Sequence, residues 1–296
     1  MQELEFIRYL ARRFKVRKPV VKGIGDDAAV LEYTRDKYLL ITADMLIEGT
    51  HFKSNAPPVQ IGRKSIAVGV SDIAAMGGVP KYALVSAGIS RRKGTKFLKR
   101  ITEGIAKACK RFNISVIGGD TNASQRTVVD TVIIGEVEKR YLVKRSGAKP
   151  DDLIFVTGAL GEGRKKHLSF LPRLKEARIL ARNFRINSMI DLSDGLSTDL
   201  TRIAGASGTG ARIYKSLIPL SKDSLPLEKA VHAGEDFELL FTASIKESKK
   251  IIRRMGQRGD LPVTLIGEIV KRSEGVRIVG EDGKTKLFKP KGYRHL

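Results

Sequence analysis

The chain opens on ELEFIRYLARRF, where apolar residues return at helical spacing between charged ones, and this predicts a helix over residues 2–14. Short apolar runs bounded by glycine, aspartate and charge predict strands at 27–32 and 37–44. The stretch 59–76 is made of small residues at a helical period, and Ser65, Val68, Gly69, Asp72, Ala75 and Met76 fall on one face of it. A strand at 81–89, a helix at 95–112 and strands at 114–120 and 127–138 complete a first half of mixed character. The helix at 95–112 carries an apolar stripe through Phe97, Leu98, Ile101, Ile105, Ala108 and Phe112, which makes Cys109 on that stripe an inert core residue.

The pattern is interrupted at KRSGAKPDD, residues 144–152, where glycine, proline and charge precede a new apolar strand, LIFVTG. This places a domain boundary between 1–143 and 144–296. The second half then resumes with helices at 175–183, 195–206 and 246–256 and strands at 186–191, 238–243 and 262–270. No tandem repeat, low-complexity segment or heptad array interrupts it. Such an alternation predicts an α/β (α+β) protein of two domains.

Composition changes this picture little: 296 residues with 42% hydrophobic and 6% aromatic content are ordinary for a folded chain. No apolar run approaches the length of a membrane span, no export signal is visible, and a single cysteine excludes an internal disulfide framework, so a cytoplasmic protein is expected. The formal net charge of +23 raises nucleic acid as a partner. However, the lysines and arginines are scattered over separate helix faces (Arg91 to Lys93, Lys107 to Arg111, Lys249 to Arg254) without aromatic interleaving or an RNA-binding motif. A field of this sign also draws in phosphorylated small molecules.

Within this basic chain, aspartates recur among glycine and small residues: GIGDDAAV (Asp26, Asp27), ITADMLIEGTHF (Asp44), GVSDIAAMGG (Asp72), VIGGDTNAS (Asp120) and MIDLSDGLSTDL (Asp191, Asp194). Desolvated carboxylates are costly, and several together are costlier, unless cations neutralise them. Oxygen ligands without a zinc-type histidine or cysteine spacing favour Mg²⁺. GIGDDA imitates a dinucleotide fingerprint, but here the strand follows the glycines, so Gly23 and Gly25 read as a tight turn that places Asp26 or Asp27 at a strand start. No P-loop and no protein-kinase signature occurs. Asp72 reads either as a metal ligand or as a carboxylate satisfied by backbone donors. GGDTNAS reads as a strand ending in a glycine turn, with an Asp-turn as the plainer alternative. In MIDLSDGLSTDL, Asp191 ends a strand and Ser193 or Asp194 is positioned to cap the next helix, whose N-terminal amides suit phosphate oxygens.

Taken in order and closing on GYRHL, the segments GIGDDAAV, TADMLIEGTHF, VSDIAAMGG, GGDTNAS, KRSGAKPDD, MIDLSDGLSTDL and AGEDFELLF closely resemble the thiamine-monophosphate kinases. That family lies within the PurM-like superfamily of ATP-dependent enzymes related to aminoimidazole ribonucleotide synthetase. The resemblance implies a two-domain PurM-like architecture, an N-terminal domain that pairs in a homodimer, and Mg²⁺-dependent transfer of the ATP γ-phosphoryl group to thiamine monophosphate. It implies metal ligands, direct or through water, at Asp27, Thr42, Asp44, Asp72, Asp120, Asp191 and Asp194, with Asp26 left to a turn. It further implies ATP contacts at Gly119, Asp120, Arg145 and Ser193, and contacts to thiamine monophosphate at His51, Glu235 and Tyr293. Ala43 stands where relatives often carry a hydroxyl, and the chain is shorter than many of them between Leu171 and Lys175. The alternatives are another PurM-like enzyme (a purine-pathway synthetase, a selenophosphate synthetase or a hydrogenase-maturation type) and, less favoured, a basic RNA-binding protein.

The implied chemistry suits the composition of these motifs. A phosphate monoester is largely dianionic at neutral pH and needs no strong general base. Its obstacle is approaching a polyanionic triphosphate, which demands cations rather than a His–Asp pair.

Overall fold

A computed structural model describes residues 3–258 and 263–292. The first half forms helix α1 (Glu3–Arg13), strands β1 (Val20–Lys22), β2 (Ala29–Glu32) and β3 (Lys37–Ile47), helix α2 (Pro58–Ala75), strand β4 (Val79–Ser90), helix α3 (Gly94–Phe112) and strands β5 (Ser115–Ser124) and β6 (Val128–Glu138). The strands make one six-stranded mixed sheet in the order β1-β2-β3-β6-β4-β5, antiparallel except for the β4–β5 pair. Along β6 burial alternates at every residue, so Val129, Thr131, Ile133 and Val137 face the core.

The second half contains β7 (Leu153–Thr157), α4 (Gly163–Lys166), α5 (Leu174–Asn183), β8 (Ile186–Asp191), α6 (Leu196–Ser207), β9 (Gly210–Tyr214), α7 (Leu227–Ala230), β10 (Leu239–Ala243), α8 (Ile245–Arg258), β11 (Val263–Val270), β12 (Val276–Val279) and β13 (Thr285–Leu287). They form a seven-stranded sheet in the order β13-β12-β9-β11-β7-β10-β8, antiparallel except for β12–β9. Every long predicted element is present. Of the seven strands with 3–5 residues, β2, β7 and β10 fall on apolar runs read from the sequence, whereas β1, β9, β12 and β13 are too brief for a clear periodic signal.

Helix α2 departs from the amphipathic expectation. It is buried nearly all round, with Ile61, Lys64, Ser65, Ile66, Ala67, Val70, Ser71, Ile73, Ala74 and Ala75 among its buried residues. A helix apolar on all sides is one that other layers surround. Ile61, Ile66, Val70 and Ile73 join the core under the first sheet, whereas Ala74 and Ala75 join a cluster with Phe155, Leu180, Met189 and Phe241 of the second. The small residues read from the sequence therefore allow α2 to pass between both units. Against α3 the approach is closest at reciprocal glycines: a Cβ on Gly62 would lie 2.0 Å from the Ile101 carbonyl oxygen, and one on Gly104 would lie 2.0 Å from that of Val59. Cys109 is buried in the same cluster, as expected.

Segment GGDTNAS corrects the expectation of a glycine turn. β5 runs straight through it to Ser124, and Gly119 pairs with Val85 of β4. A Cβ there would lie 1.7 Å from the Val85 carbonyl oxygen, so the glycine serves close strand packing rather than a turn.

Candidate active site

Three aspartates from three elements converge where the two sheets meet. Asp27 precedes β2, Asp72 lies on the last turn of α2 and Asp191 ends β8; one carboxylate oxygen from each lies within 4.8 Å of the other two. Asp27 and Asp191 are buried, and Asp72 is half-buried. Burial, followed by repulsion from Asp44, Asp191 and Asp27, holds the Asp72 carboxyl well above the usual carboxylate range. Burial and Asp27 do the same to Asp191.

The protein offers only a few donors in return. Thr42 Oγ1 donates to Asp72 at 2.5 Å, and Ser71 Oγ donates to Asp191 at 2.6 Å. Arg145 Nη2 donates to Asp27 Oδ1 at 2.7 Å, while Asp27 Oδ2 is buried without a hydrogen-bond partner among the described residues. Burial opposes the charge on Arg145, but the Asp27 carboxylate more than offsets it and raises the guanidinium pKa. An under-donated cluster of hard oxygens fits Mg²⁺ in donor type and charge.

Asp27, Asp72 and Arg145 open onto a cleft of about 1390 Å³, whereas Asp191 is buried behind its lining. Of the expected site residues, Asp27, Asp44, His51, Asp72, Arg145, Ser193, Asp194 and Glu235 line it. Ala43, which supplies no side-chain hydroxyl, also lines it. Thr42 stands just behind, bonded to Asp72. Asp26 is held at the turn, accepting from its neighbour Asp27 N at 3.2 Å and from Arg145 N at 3.0 Å. Gly119 and Asp120 lie outside the lining, on the exposed strand β5, where Asp120 accepts from Thr121 N at 2.8 Å and Asn122 Nδ2 at 2.6 Å. Tyr293 lies outside the described residues.

The helix N-terminus after Asp191 differs from its expected form. Neither Ser193 nor Asp194 caps α6; Gly195 is the cap residue, with φ 102°, and Asp199 from within the helix accepts from Asp194 N at 3.1 Å and Gly195 N at 3.0 Å. Those two amides are consequently engaged and do not face a phosphate. Arg202 ties the junction together, pairing with Asp194 at 2.5 Å and with Asp199 at 2.8 Å. Asp199 is pushed up to about 7, chiefly by burial, against the pull of Arg202.

At the other end of the cleft sits a charge that sequence reasoning missed. Lys64 on α2 is fully buried, and its Nζ donates to the His51 carbonyl oxygen at 3.1 Å, contacts His167 Nδ1 at 3.0 Å and pairs with Glu235. His51 Nδ1 accepts from Ile47 N at 3.0 Å, which fixes its ring against the end of β3. Glu235 and Phe237 have φ of 69° and 51°, left-handed conformations that cost side-chain-bearing residues energy and are sustained by surrounding structure. In the same AGEDFELLF segment, Asp236 accepts from Gly161 N and Gly163 N, and Glu238 pairs with Arg173.

Two mixed sheets that meet over buried carboxylates match the family model described as AIR synthase related protein, N-terminal domain, over residues 25–137, and its C-terminal counterpart over residues 135–280. The chain belongs to this AIR synthase-related, PurM-like family, and within it to the thiamine-monophosphate kinases. It is 34% identical over 324 residues to the thiamine-monophosphate kinase of Buchnera aphidicola subsp. Acyrthosiphon pisum, covering 99% of this chain and 98% of that one. With the enzyme of Bacillus subtilis it shares 33% identity across 100% of both chains. Among solved structures, AaThiL complexed with AMPPCP and TMP is similar at 30% identity and TM-score 0.86, covering 100% of this chain and 97% of that one.

Proposed function

We propose that this protein transfers the γ-phosphoryl group of ATP to thiamine monophosphate, giving thiamine diphosphate and ADP. The observation that carries the reading is the convergence of Asp27, Asp72 and Asp191 on one junction, with Asp27 and Asp72 facing the cleft, in a chain similar over its full length to thiamine-monophosphate kinases. A terminal phosphate oxygen of thiamine monophosphate forms the new P–O bond to the γ-phosphorus, and the bond from that phosphorus to the β,γ-bridging oxygen breaks, releasing ADP. We read this as a single in-line displacement, because the acceptor is a phosphate oxygen already largely dianionic at neutral pH and needs no covalent relay. Bound at the carboxylates, Mg²⁺ would neutralise phosphate charge as the groups approach.

Asp27, Asp44, Asp72, Asp191 and Asp194, with Thr42 behind them, are the residues that would hold the metal. Arg145 has a buried Nε without an acceptor among the described residues, which suits a phosphate oxygen, and Ser193 also lines the cleft. His51 and Glu235 define the acceptor end. Gly119, Asp120 and Tyr293 enter the ATP, metal and substrate assignments on the sequence pattern alone. We also propose the division into 1–143 and 144–296, which the long connection from β6 to β7 supports. We further propose a cytoplasmic homodimer: apolar side chains remain exposed on β3 to β5 (Met45 51%, Tyr82 44%, Val116 49%, Ile117 55%), and β5 is an unpaired sheet edge. Sedimentation equilibrium tests the pairing, and a monomer at micromolar concentration would reject it.

The activity itself is tested by incubating the protein with ATP, Mg²⁺ and thiamine monophosphate. Equal amounts of thiamine diphosphate and ADP are expected. No thiamine diphosphate above a boiled control rejects the function.

A further inference from the structure

The ammonium group of Lys64 carries three hydrogens, and three acceptors from three separate segments surround it. They are the His51 carbonyl oxygen from the β3–α2 connection, His167 Nδ1 from the turn after α4, and the Glu235 carboxylate from the approach to β10. A buried lysine is destabilising unless it is answered in this way. Burial lowers its pKa, and Glu235 works against that to keep the charge. The neighbouring Arg63 donates to the carbonyl oxygens of Leu168, at 3.0 Å, and Phe170, so one turn of α2 holds the whole stretch 167–170 in place. Phe170 in turn stacks on Phe237 with ring centroids 3.8 Å apart, two residues beyond Glu235.

The placement along α2 gives this cluster its meaning. Lys64 precedes Asp72 by two helical turns, about 12 Å along the axis. The same helix thus presents the carboxylate junction at one end of the cleft and Lys64 at the other. All of Lys64, His51, His167 and Glu235 line the cleft. His167 lies 3.4 Å from Glu235 as well, but its nearer neighbour is an obligate donor, so Nδ1 accepts from Lys64 and Nε2 carries the ring proton.

We propose that Lys64 is a positioning residue for the phosphoryl acceptor, thiamine monophosphate: it fixes the Glu235 carboxylate and the neutral, Nε2-protonated His167 in the wall that receives the part of the substrate remote from the transferred group. This rests on the kinase reading above. A purely structural lysine would affect both substrates alike, whereas a positioning role confined to one end of the cleft separates them.

The test compares Michaelis constants for the two substrates in Lys64→Met and in His167→Asn, which keeps an acceptor for Lys64 but lacks the Nε2 donor. The expected result is a rise in KM for thiamine monophosphate of about tenfold or more in Lys64→Met and several-fold in His167→Asn, with KM for ATP within about twofold of the parent. An unchanged KM for thiamine monophosphate, or equal rises for both substrates, overturns the proposal. If Lys64→Met does not fold, His167→Asn decides by the same criterion. If the parent protein forms no thiamine diphosphate, the kinase reading fails separately, and calorimetric titration with thiamine monophosphate decides this one: weaker binding in the variants supports it, and equal or absent binding overturns it.

Discussion

The Ser71 hydroxyl on α2 donates to Asp191 Oδ2 at the end of β8 at 2.6 Å, with both residues 1% exposed. This bond joins the helix under the first sheet to β8, the edge strand of the second. Removing the donor leaves a buried carboxylate oxygen without it, at a cost of about 1–3 kcal/mol. Ser71→Ala is therefore expected to lower stability by that amount in urea denaturation, with millimolar Mg²⁺ recovering part of the loss. A variant as stable as the parent in both conditions contradicts the role assigned to this contact.

Asp191→Asn is expected to act in the opposite direction. Its carboxyl has a raised pKa in the folded protein, so its contribution to stability is full below the ordinary carboxylate range and is lost as pH rises. An amide keeps an acceptor for Ser71 and removes one like charge from the cluster. At pH 7 without metal, the variant should melt at a higher temperature than the parent, by an amount worth about 1–2 kcal/mol. With Mg²⁺ added, its melting temperature should rise much less than the parent's. A calorimetric scan of the two proteins with and without the metal provides the comparison.

A second tie between the units predicts a pH dependence. Arg178 on α5 donates through both terminal nitrogens to Glu138 at the end of β6, each at 2.9 Å, and also to the Gly77 carbonyl oxygen at 2.6 Å. The Arg178 hydrogen bonds bring the Glu138 carboxyl down to about 2. A depressed carboxyl stabilises the fold fully above its unfolded pKa and loses that contribution as pH falls through the folded value. Since the pair is partly exposed, Glu138→Gln should cost only about 1–2 kcal/mol at pH 7. The difference from the parent should shrink between pH 5 and pH 3, and a constant difference over that range would count against the pairing.

The α2–α3 crossing predicts a steric effect without any charge. Gly104→Ala forces the two helix backbones apart at the Val59 carbonyl, and overpacking of this kind costs about 1–3 kcal/mol. Gly205, on the exposed side of α6, has nothing within 4 Å of a Cβ and serves as the control, where Ala should be neutral or stabilising. Equal melting temperatures for the two variants would remove the close approach from the account.

These contacts separate what the amino-acid order reveals from what it conceals. Asp27, Asp72 and Asp191 were legible because a carboxylate among small apolar residues is costly once the fold desolvates it, unless a cation answers it. Lys64 was not, since a lysine after an arginine in GRKS reads as a solvated face until both sides of α2 are known to be covered. The capping role of Asp199 was concealed by its neighbours, because Ser193 and Asp194 stand where a side-chain cap ordinarily sits. Glu235 was legible only through the AGEDFELLF motif; its left-handed backbone follows from its packing against the 161–163 turn, which no local pattern encodes. The helix expected over 59–76 formed as read, but its supposed single face reflected one layer of neighbours where the fold supplies two.

The most direct test of the central claim is anomalous scattering from Mn²⁺, standing in for Mg²⁺, in crystals grown with a non-hydrolysable ATP analogue. The expected result is a peak bounded by the carboxylates of Asp27, Asp72 and Asp191, lost in Asp72→Asn. Well-ordered nucleotide with manganese only elsewhere, and these three aspartates bare, would contradict it.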